Sequence, residues 1–302
     1  MAESQPSAPD TFRMLERLIK SIGGTTLMST ISDAHVSGYI AGRRKETRWG
    51  KKKFKDKRPM TLVSPATINR EVAVLKRLFM RARRTWKILL ANEPDWKSHR
   101  LSEANERVRE LHQEEDAALF DAVRPDYQPW LEFALLTGMR LDETLIVWPE
   151  VNWFTRKIVT VGKGGKPVIV EMSDTVAELL ESLRGHHHRY VFTYVAKRTS
   201  KKDDRVRGQR YPLTYEGCKT EWQRLRKRSG VSDLRFHDLR HDFATKLLRE
   251  TGNLKLVSKA LNHSDVSVTA RYAHVIDSEI RDAMQAVANS RKKSRTKKSD
   301  AA

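Results

Sequence analysis

The sequence predicts a mainly α protein of the α+β class, with a small helical domain followed by a mixed helical domain carrying a small antiparallel sheet. Three observations carry this. Apolar residues recur at three- and four-residue spacing along 64–90, the period of one helix face, and the stretches 130–136 and 236–251 read as further helices. Strand character is confined to 157–161 and 167–171, which flank the turn Gly162-Lys163-Gly164-Gly165-Lys166 as the arms of a hairpin would. A polar stretch after Pro94 divides the two groups and reads as a linker to about Arg107. The expected organisation is a disordered N-terminus at 1–10, a helical domain at 11–98, a larger domain at 108–290 and a basic disordered tail at 291–302.

In the first domain, a short helix is expected over 12–21, stopped by Gly23-Gly24. Ser32 is placed to cap a second helix whose apolar side is Val36, Tyr39 and Ile40. Between Arg43 and Arg58, ten of sixteen residues are Lys or Arg, interrupted by Trp49 and Phe54. Such a run is either a solvated loop or a surface for phosphates, with Lys51, Lys52 and Lys53 at its centre. Ser64-Pro65 is a cap followed by Pro at the first helical position, and Ile68, Val72, Leu75, Phe79, Ala82, Trp86 and Leu89 then form one apolar stripe. Arg70, Arg77 and Arg84 lie off that stripe.

The second domain begins near Glu110, with Glu114, Glu115 and Asp116 suited to a helix first turn and Pro125 closing it. The run 130–136 reads as a buried helix ending at Thr137-Gly138, directly followed by Met139-Arg140-Leu141-Asp142-Glu143. Arg140 among apolar residues needs a partner, and Glu143 three residues on can supply it. Ser173-Asp174 caps the next helix, 197–210 is a second basic loop, and 214–228 is helical. His186-His187-His188 is a poor metal site, because adjacent imidazoles diverge and no carboxylate or cysteine is spaced to join them.

Composition narrows the class of function. The chain has 302 residues, enough for two domains, and a net charge of +20 from 58 Lys+Arg against 38 Asp+Glu. That excess predicts a polyanionic partner, nucleic acid first, although a ribosomal or membrane-surface protein would share it. No apolar run is long enough to span a bilayer, and the single cysteine, Cys218, fits a reducing compartment, the cytoplasm.

The chemistry concentrates between His237 and His274. In a helix over 236–251, His237, Arg240 and His241 fall at i, i+3 and i+4 on one face. A guanidinium between imidazoles suits a phosphate, whose oxygens its planar fork matches. It does not suit zinc, which Arg240 would repel, and no glutamate follows His237 as in a metalloprotease. Downstream come Leu261-Asn262-His263-Ser264 and Arg271-Tyr272-Ala273-His274, the second offering a nucleophilic hydroxyl.

Taken with Thr137-Gly138-Met139-Arg140-Leu141-Asp142-Glu143, the Gly-Lys-Gly-Gly-Lys hairpin and His237-Asp238-Leu239-Arg240-His241, in this order and at this spacing, these motifs resemble the tyrosine recombinases of the phage integrase family. The resemblance runs from about Ser29 to Ala288, and Ser64-Pro65-Ala66-Thr67-Ile68-Asn69-Arg70 resembles the family's core-binding helix. Two departures stand out. The chain is expected to lack the extra domain with which many integrases bind arm-type sites, and its first core-binding helix is expected to be short or missing. In the family's Leu-Gly-His-Ser motif, Gly is replaced by Asn262, a residue that tolerates left-handed backbone.

The resemblance implies a site-specific recombinase that cleaves and rejoins duplex DNA at attachment sites, for integration or excision of a prophage or other mobile element. Tyr272 would attack the phosphate and become a 3′-phosphotyrosine. Arg140 and Arg240 would clamp the non-bridging oxygens, His237 would assist the tyrosine's proton, and His263 would donate a hydrogen bond to the phosphate. Lys163 resembles the family's general acid, with Lys166 the competing choice, while Glu143 would orient Arg140 and His241 support the cluster. Lys51, Lys52, Lys53, Arg70, Arg77 and Arg84 would contact DNA. The covalent link conserves the phosphodiester energy, so no metal, ATP or other cofactor is expected. The partners implied are DNA and a homotetramer joined through a C-terminal helix with Ile276, Ile280, Met284 and Val287 on one side, or else that helix folds back on its own domain. Accessory bending or directionality factors would join them, in a bacterial or phage, nucleoid-associated setting without a membrane. Two rivals remain: a monomeric type IB topoisomerase-like enzyme, and a binding protein without activity.

Overall fold

The computed structural model describes residues 8–47, 61–104, 107–200, 204–263, 265–273, 284–285 and 287–289. The chain is mainly α with small antiparallel sheets and divides into two compact units, Met1–Asn105 and Glu106–Ala302.

The first unit packs three helices. α1, Ala8–Ile22, is fifteen residues long and begins inside the segment expected to be disordered, so the first helix is neither short nor missing. α2, Asp33–Arg44, starts after Ser32, whose backbone N–H donates to Nδ1 of His35 at 3.3 Å, and it buries Val36, Tyr39 and Ile40 as anticipated. α3, Pro65–Arg84, is capped by Ser64, whose hydroxyl accepts from the Thr67 N–H. Its buried side is Ile68, Val72, Leu75, Phe79 and Ala82, but the stripe stops there. The helix ends at Arg84, Lys87 turns the chain at a φ of 56°, and Trp86 and Leu89 are exposed, Leu89 at 92 %.

One element of this unit was invisible in the pattern. Glu71 is fully buried on α3 and takes the Arg43 guanidinium on both oxygens at 2.8 Å, the Tyr39 hydroxyl at 2.7 Å and Arg17 at 3.1 Å. Arg43 therefore belongs to the core and not to the basic surface in which its sequence run placed it. Breaking such a buried pair from one side is strongly destabilising, by about 3–5 kcal/mol.

The second unit contains α4, Gln113–Ala122, α5, Gln128–Thr137, α6, Asp174–Glu181, α7, Tyr215–Ser229, α8, Phe236–Thr251, and α9, Leu254–Ala260. Ser173, Thr214 and Asn253 accept from backbone N–H groups at the starts of α6, α7 and α9. The strands β1, Val151–Asn152, β2, Lys157–Val161, and β3, Pro167–Glu171, form an antiparallel sheet in the order β1-β2-β3, with Val159 opposite Ile169. Its inner face is Ile158, Thr160, Val168 and Val170. β1 is too short to show a period, and β4, Thr193–Val195, pairs with β5, Arg210–Pro212, at the end of what reads in sequence as a basic loop.

Two packing features aim α8. Phe236, its first residue, stacks on Trp130 of α5 with centroids 5.0 Å apart and meets Trp222 of α7 edge-on at 5.4 Å. Further along, Phe243 packs against the left-handed cap Gly138 of α5, where a Cβ would lie only 2.4 Å from its ring. Glycine is therefore required there for both its φ and its missing side chain.

Candidate active site

The turn after α5 is pinned from inside: Trp130 Nε1 donates to the Thr144 hydroxyl at 2.9 Å, which donates to the Leu141 carbonyl at 2.7 Å. This sets Arg140 and Glu143 in register. Glu143 is 3 % exposed and accepts the Arg140 backbone N–H at 2.9 Å and its Nη1 at 2.6 Å. The same carboxylate lies 4.0 Å from Nη1 of Arg240 on α8, so one buried acid holds two arginines.

Arg240 is 4 % exposed and donates to the Gly138 carbonyl at 2.9 Å and the Leu261 carbonyl at 2.5 Å. Burial, and then the charge of Arg140, pull its pKa down to about 10, which leaves it cationic at neutral pH. Desolvating a charge has an effective penalty of several kcal/mol, offset here by fixed carbonyls and a carboxylate. The guanidinium is thus held before any ligand arrives. Arg140, more open, faces outward beside it.

His263 follows α9 and its Nδ1 lies 2.8 Å from the hydroxyl of the buried Thr269. Burial, then the charges of Arg240, Arg140, Arg271 and His237, push its pKa down to about 4, so the imidazole is neutral at pH 7. In the tautomer whose Nδ1 accepts from the Thr269 hydroxyl, the proton sits on Nε2, which is then a donor. Asn262 adopts φ 53°, the left-handed conformation anticipated for it.

Tyr272 ends a short 3₁₀ turn, Val266–Tyr272, and is 2 % exposed among Ala244, Leu248, Val257 and Leu261. Its hydroxyl meets Nδ1 of His241 at 2.7 Å. His241, given only a supporting place in the sequence, is thus the imidazole on the tyrosine, while the exposed His237 ring sits edge-on to His241 with centroids 4.9 Å apart. The buried thiol of Cys218 is pushed up to about 12, chiefly by desolvation, and stays protonated.

The structure therefore brings Arg140, Glu143, His237, Arg240, His241, His263 and Tyr272 together. The β2–β3 hairpin joins them at Gly162, where a Cβ would lie 3.2 Å from Oε1 of Glu143 and 2.6 Å from Val168. Lys166 is exposed; the Lys163 side chain and Lys51, Lys52 and Lys53 lie outside what the structure describes. On the first unit, Arg70, Arg77 and Arg84 are exposed and spaced seven apart, on one side of α3. Thr269 carries no signal in the sequence, where it is one more hydroxyl three residues before a tyrosine. The sequence marks Asn262 as a departure but does not show what its side chain meets.

Residues 99–279 match the model of the phage integrase family. The chain belongs to that family. Among relatives, the integrase of Salmonella phage P22 is 28 % identical over 278 residues, covering 85 % of this chain and 67 % of its own length. The tyrosine recombinase XerC of Staphylococcus saprophyticus is 29 % identical over 182 residues, covering 57 % of this chain and 58 % of its own. The chain thus spans about two thirds or less of these relatives. The integrase of the Tn1549 transposon, solved in complex with transposon right end DNA, superposes with a TM-score of 0.66 at 16 % identity, over 94 % of each chain. As an integrase-family member, the protein has the fold of the DNA-recombining enzymes; among its described residues, no helix is long and apolar enough to cross a membrane.

Proposed function

We propose that the protein is a site-specific recombinase that cuts and rejoins duplex DNA through a covalent phosphotyrosine, in the service of a mobile element. The observation that carries this is the placement of the Tyr272 hydroxyl on His241 beside a preorganised pair, Arg140 and Arg240, held by one buried carboxylate. The two guanidiniums neutralise the non-bridging oxygens of a phosphodiester and the Nε2–H of His263 donates to one of them. Tyr272 Oη forms a bond to phosphorus, its proton passing to His241 with His237 at its edge, while the bond from phosphorus to the 5′ oxygen breaks. That oxygen takes a proton from Lys163, or from Lys166 on the same hairpin. A 5′ hydroxyl from a second duplex reverses the step, and strand exchange results without ATP. Because Tyr272 is almost wholly covered, the chain around it has to shift for a phosphate to reach its hydroxyl.

The test begins with the site the protein selects from a random duplex library. A nicked form of that duplex should trap a denaturant-resistant protein–DNA adduct, and two intact copies should exchange strands. Neither reaction should change with EDTA. Relaxation of supercoiled DNA without two-site exchange would favour a topoisomerase-like enzyme, and the absence of any adduct would leave a binding protein.

DNA contact by the first unit is expected along Arg70, Arg77 and Arg84. Each phosphate neutralised lowers log K by roughly 0.9 per unit of log salt. Replacing all three with Ala should flatten that slope by about 2–3, measured by titration between low and physiological salt. An unchanged slope would show this face to be merely solvated. Assembly of four protomers through the expected C-terminal helix belongs to the same proposal; Ile276 and Ile280 lie outside the described residues, while Met284 and Val287 are exposed, at 68 % and 56 %.

A further inference from the structure

Leu261, Asn262 and His263 are consecutive, and each holds a different part of the site. The Leu261 carbonyl accepts from Arg240, and His263 pairs with Thr269. Between them, the Asn262 side chain reaches β3: its Oδ1 accepts the Ile169 N–H at 3.1 Å, and its Nδ2 donates to the Ile169 carbonyl at 2.8 Å. Among the described residues β3 is the edge of its sheet, so no described strand satisfies these two backbone groups. One side-chain amide thus occupies the place of an additional strand. A glycine could adopt the same left-handed backbone but could not make either bond. Asparagine is the residue that does both.

The hairpin is consequently held at two points. Its turn lies against Glu143 at Gly162, where an added Cβ would come within 3.2 Å of the carboxylate, and its free edge is clamped by Asn262. We propose that Asn262 is a positioning residue that locks the β2–β3 hairpin to the Arg240–His263 segment, so that the lysine delivering a proton to the leaving 5′ oxygen is registered against the phosphate clamp. This rests on the reading of the hairpin lysine as the general acid.

Leaving-group chemistry separates positioning of the acid from every other role. An alkoxide needs a proton to depart; a thiolate, from a thiol of pKa about 8.5, does not. The selected site is made as a nicked duplex with either oxygen or sulfur bridging to the 5′ carbon at the scissile phosphate, and rates of adduct formation are compared. Asn262→Gly keeps the backbone conformation and removes both bonds. It should slow the oxygen substrate by about tenfold, as two ordinary hydrogen bonds would, and leave the sulfur substrate near the wild-type rate. Asn262→Asp keeps the acceptor but turns a carboxylate oxygen on the Ile169 carbonyl in place of the donor; it should slow the oxygen substrate at least as much and again spare the sulfur substrate, and it decides the question if the glycine variant does not fold. Equal slowing on both substrates, or slowing on neither, overturns the proposal. Lys163→Ala is the reference. If sulfur rescues Lys166→Ala in its place, the choice of lysine fails while the clamp stands, because both lysines flank the same turn.

Discussion

Replacing Tyr272 with Phe is expected to abolish the covalent protein–DNA adduct while leaving binding of the selected duplex nearly unchanged. The structure makes this a clean substitution. The ring is packed in a small apolar cluster that phenylalanine fills equally well, and the only atom removed is the one that meets His241 at 2.7 Å. Losing that contact would cost at most about 1–3 kcal/mol, against a total stability of about 5–15 kcal/mol for an ordinary domain. The fold should survive and the nucleophile should not. Incubation with the nicked duplex, followed by denaturing electrophoresis, checks it. An adduct still formed by the Phe variant would sink the assignment of Tyr272.

The second large effect is expected at the phosphate clamp. Arg140→Ala should slow adduct formation by about 10²–10³, the range for losing one preorganised oxyanion donor. Arg140 suits this measurement because its side chain is partly open, so its removal leaves Glu143 still near Arg240. Arg240→Ala is a harsher change, since it strips the Gly138 and Leu261 carbonyls of their donor inside the core. Arg240→Lys is the better probe there. It keeps the charge but not the planar fork, and a single ammonium cannot serve both carbonyls and a phosphate. A similar 10²–10³ loss is expected, with the thermal midpoint and duplex affinity measured alongside. Rates within tenfold of wild type for both Arg140→Ala and Arg240→Lys would mean that the arginines do not carry the charge stabilisation.

Much of this architecture was legible from local signals. The bounds 236–251 for α8, the Ser64 and Ser173 caps, the end of α5 at Gly138 and the β2–β3 hairpin all follow from periodicity and capping, which act within a few residues of chain. So does the pairing of Arg140 with Glu143, three residues apart. The face shared by His237, Arg240 and His241 was equally available from helical spacing, and the motif order identified the family.

What the pattern could not settle is which groups are buried and what they meet. Arg43 reads as one more cation in a basic run, yet it is committed to Glu71, a pairing across 28 residues. Trp86 and Leu89 continue an apolar period, but the helix carrying it stops at Arg84. His237 and His241 are indistinguishable by spacing; only the packing of α8 against α9 and the turn after it puts the Tyr272 hydroxyl on the second of them. Asn262 and Ile169 are 93 residues apart, and Thr269 is chosen for His263 by a turn without periodicity. Sequence alone therefore determined the helices, the hairpin and the reactive residue types, because those depend on neighbours along the chain. Which imidazole meets the tyrosine hydroxyl, and which backbone groups Asn262 bonds, were decided by the tertiary structure, because a buried donor or acceptor takes its partner from whatever the fold brings within about 3 Å.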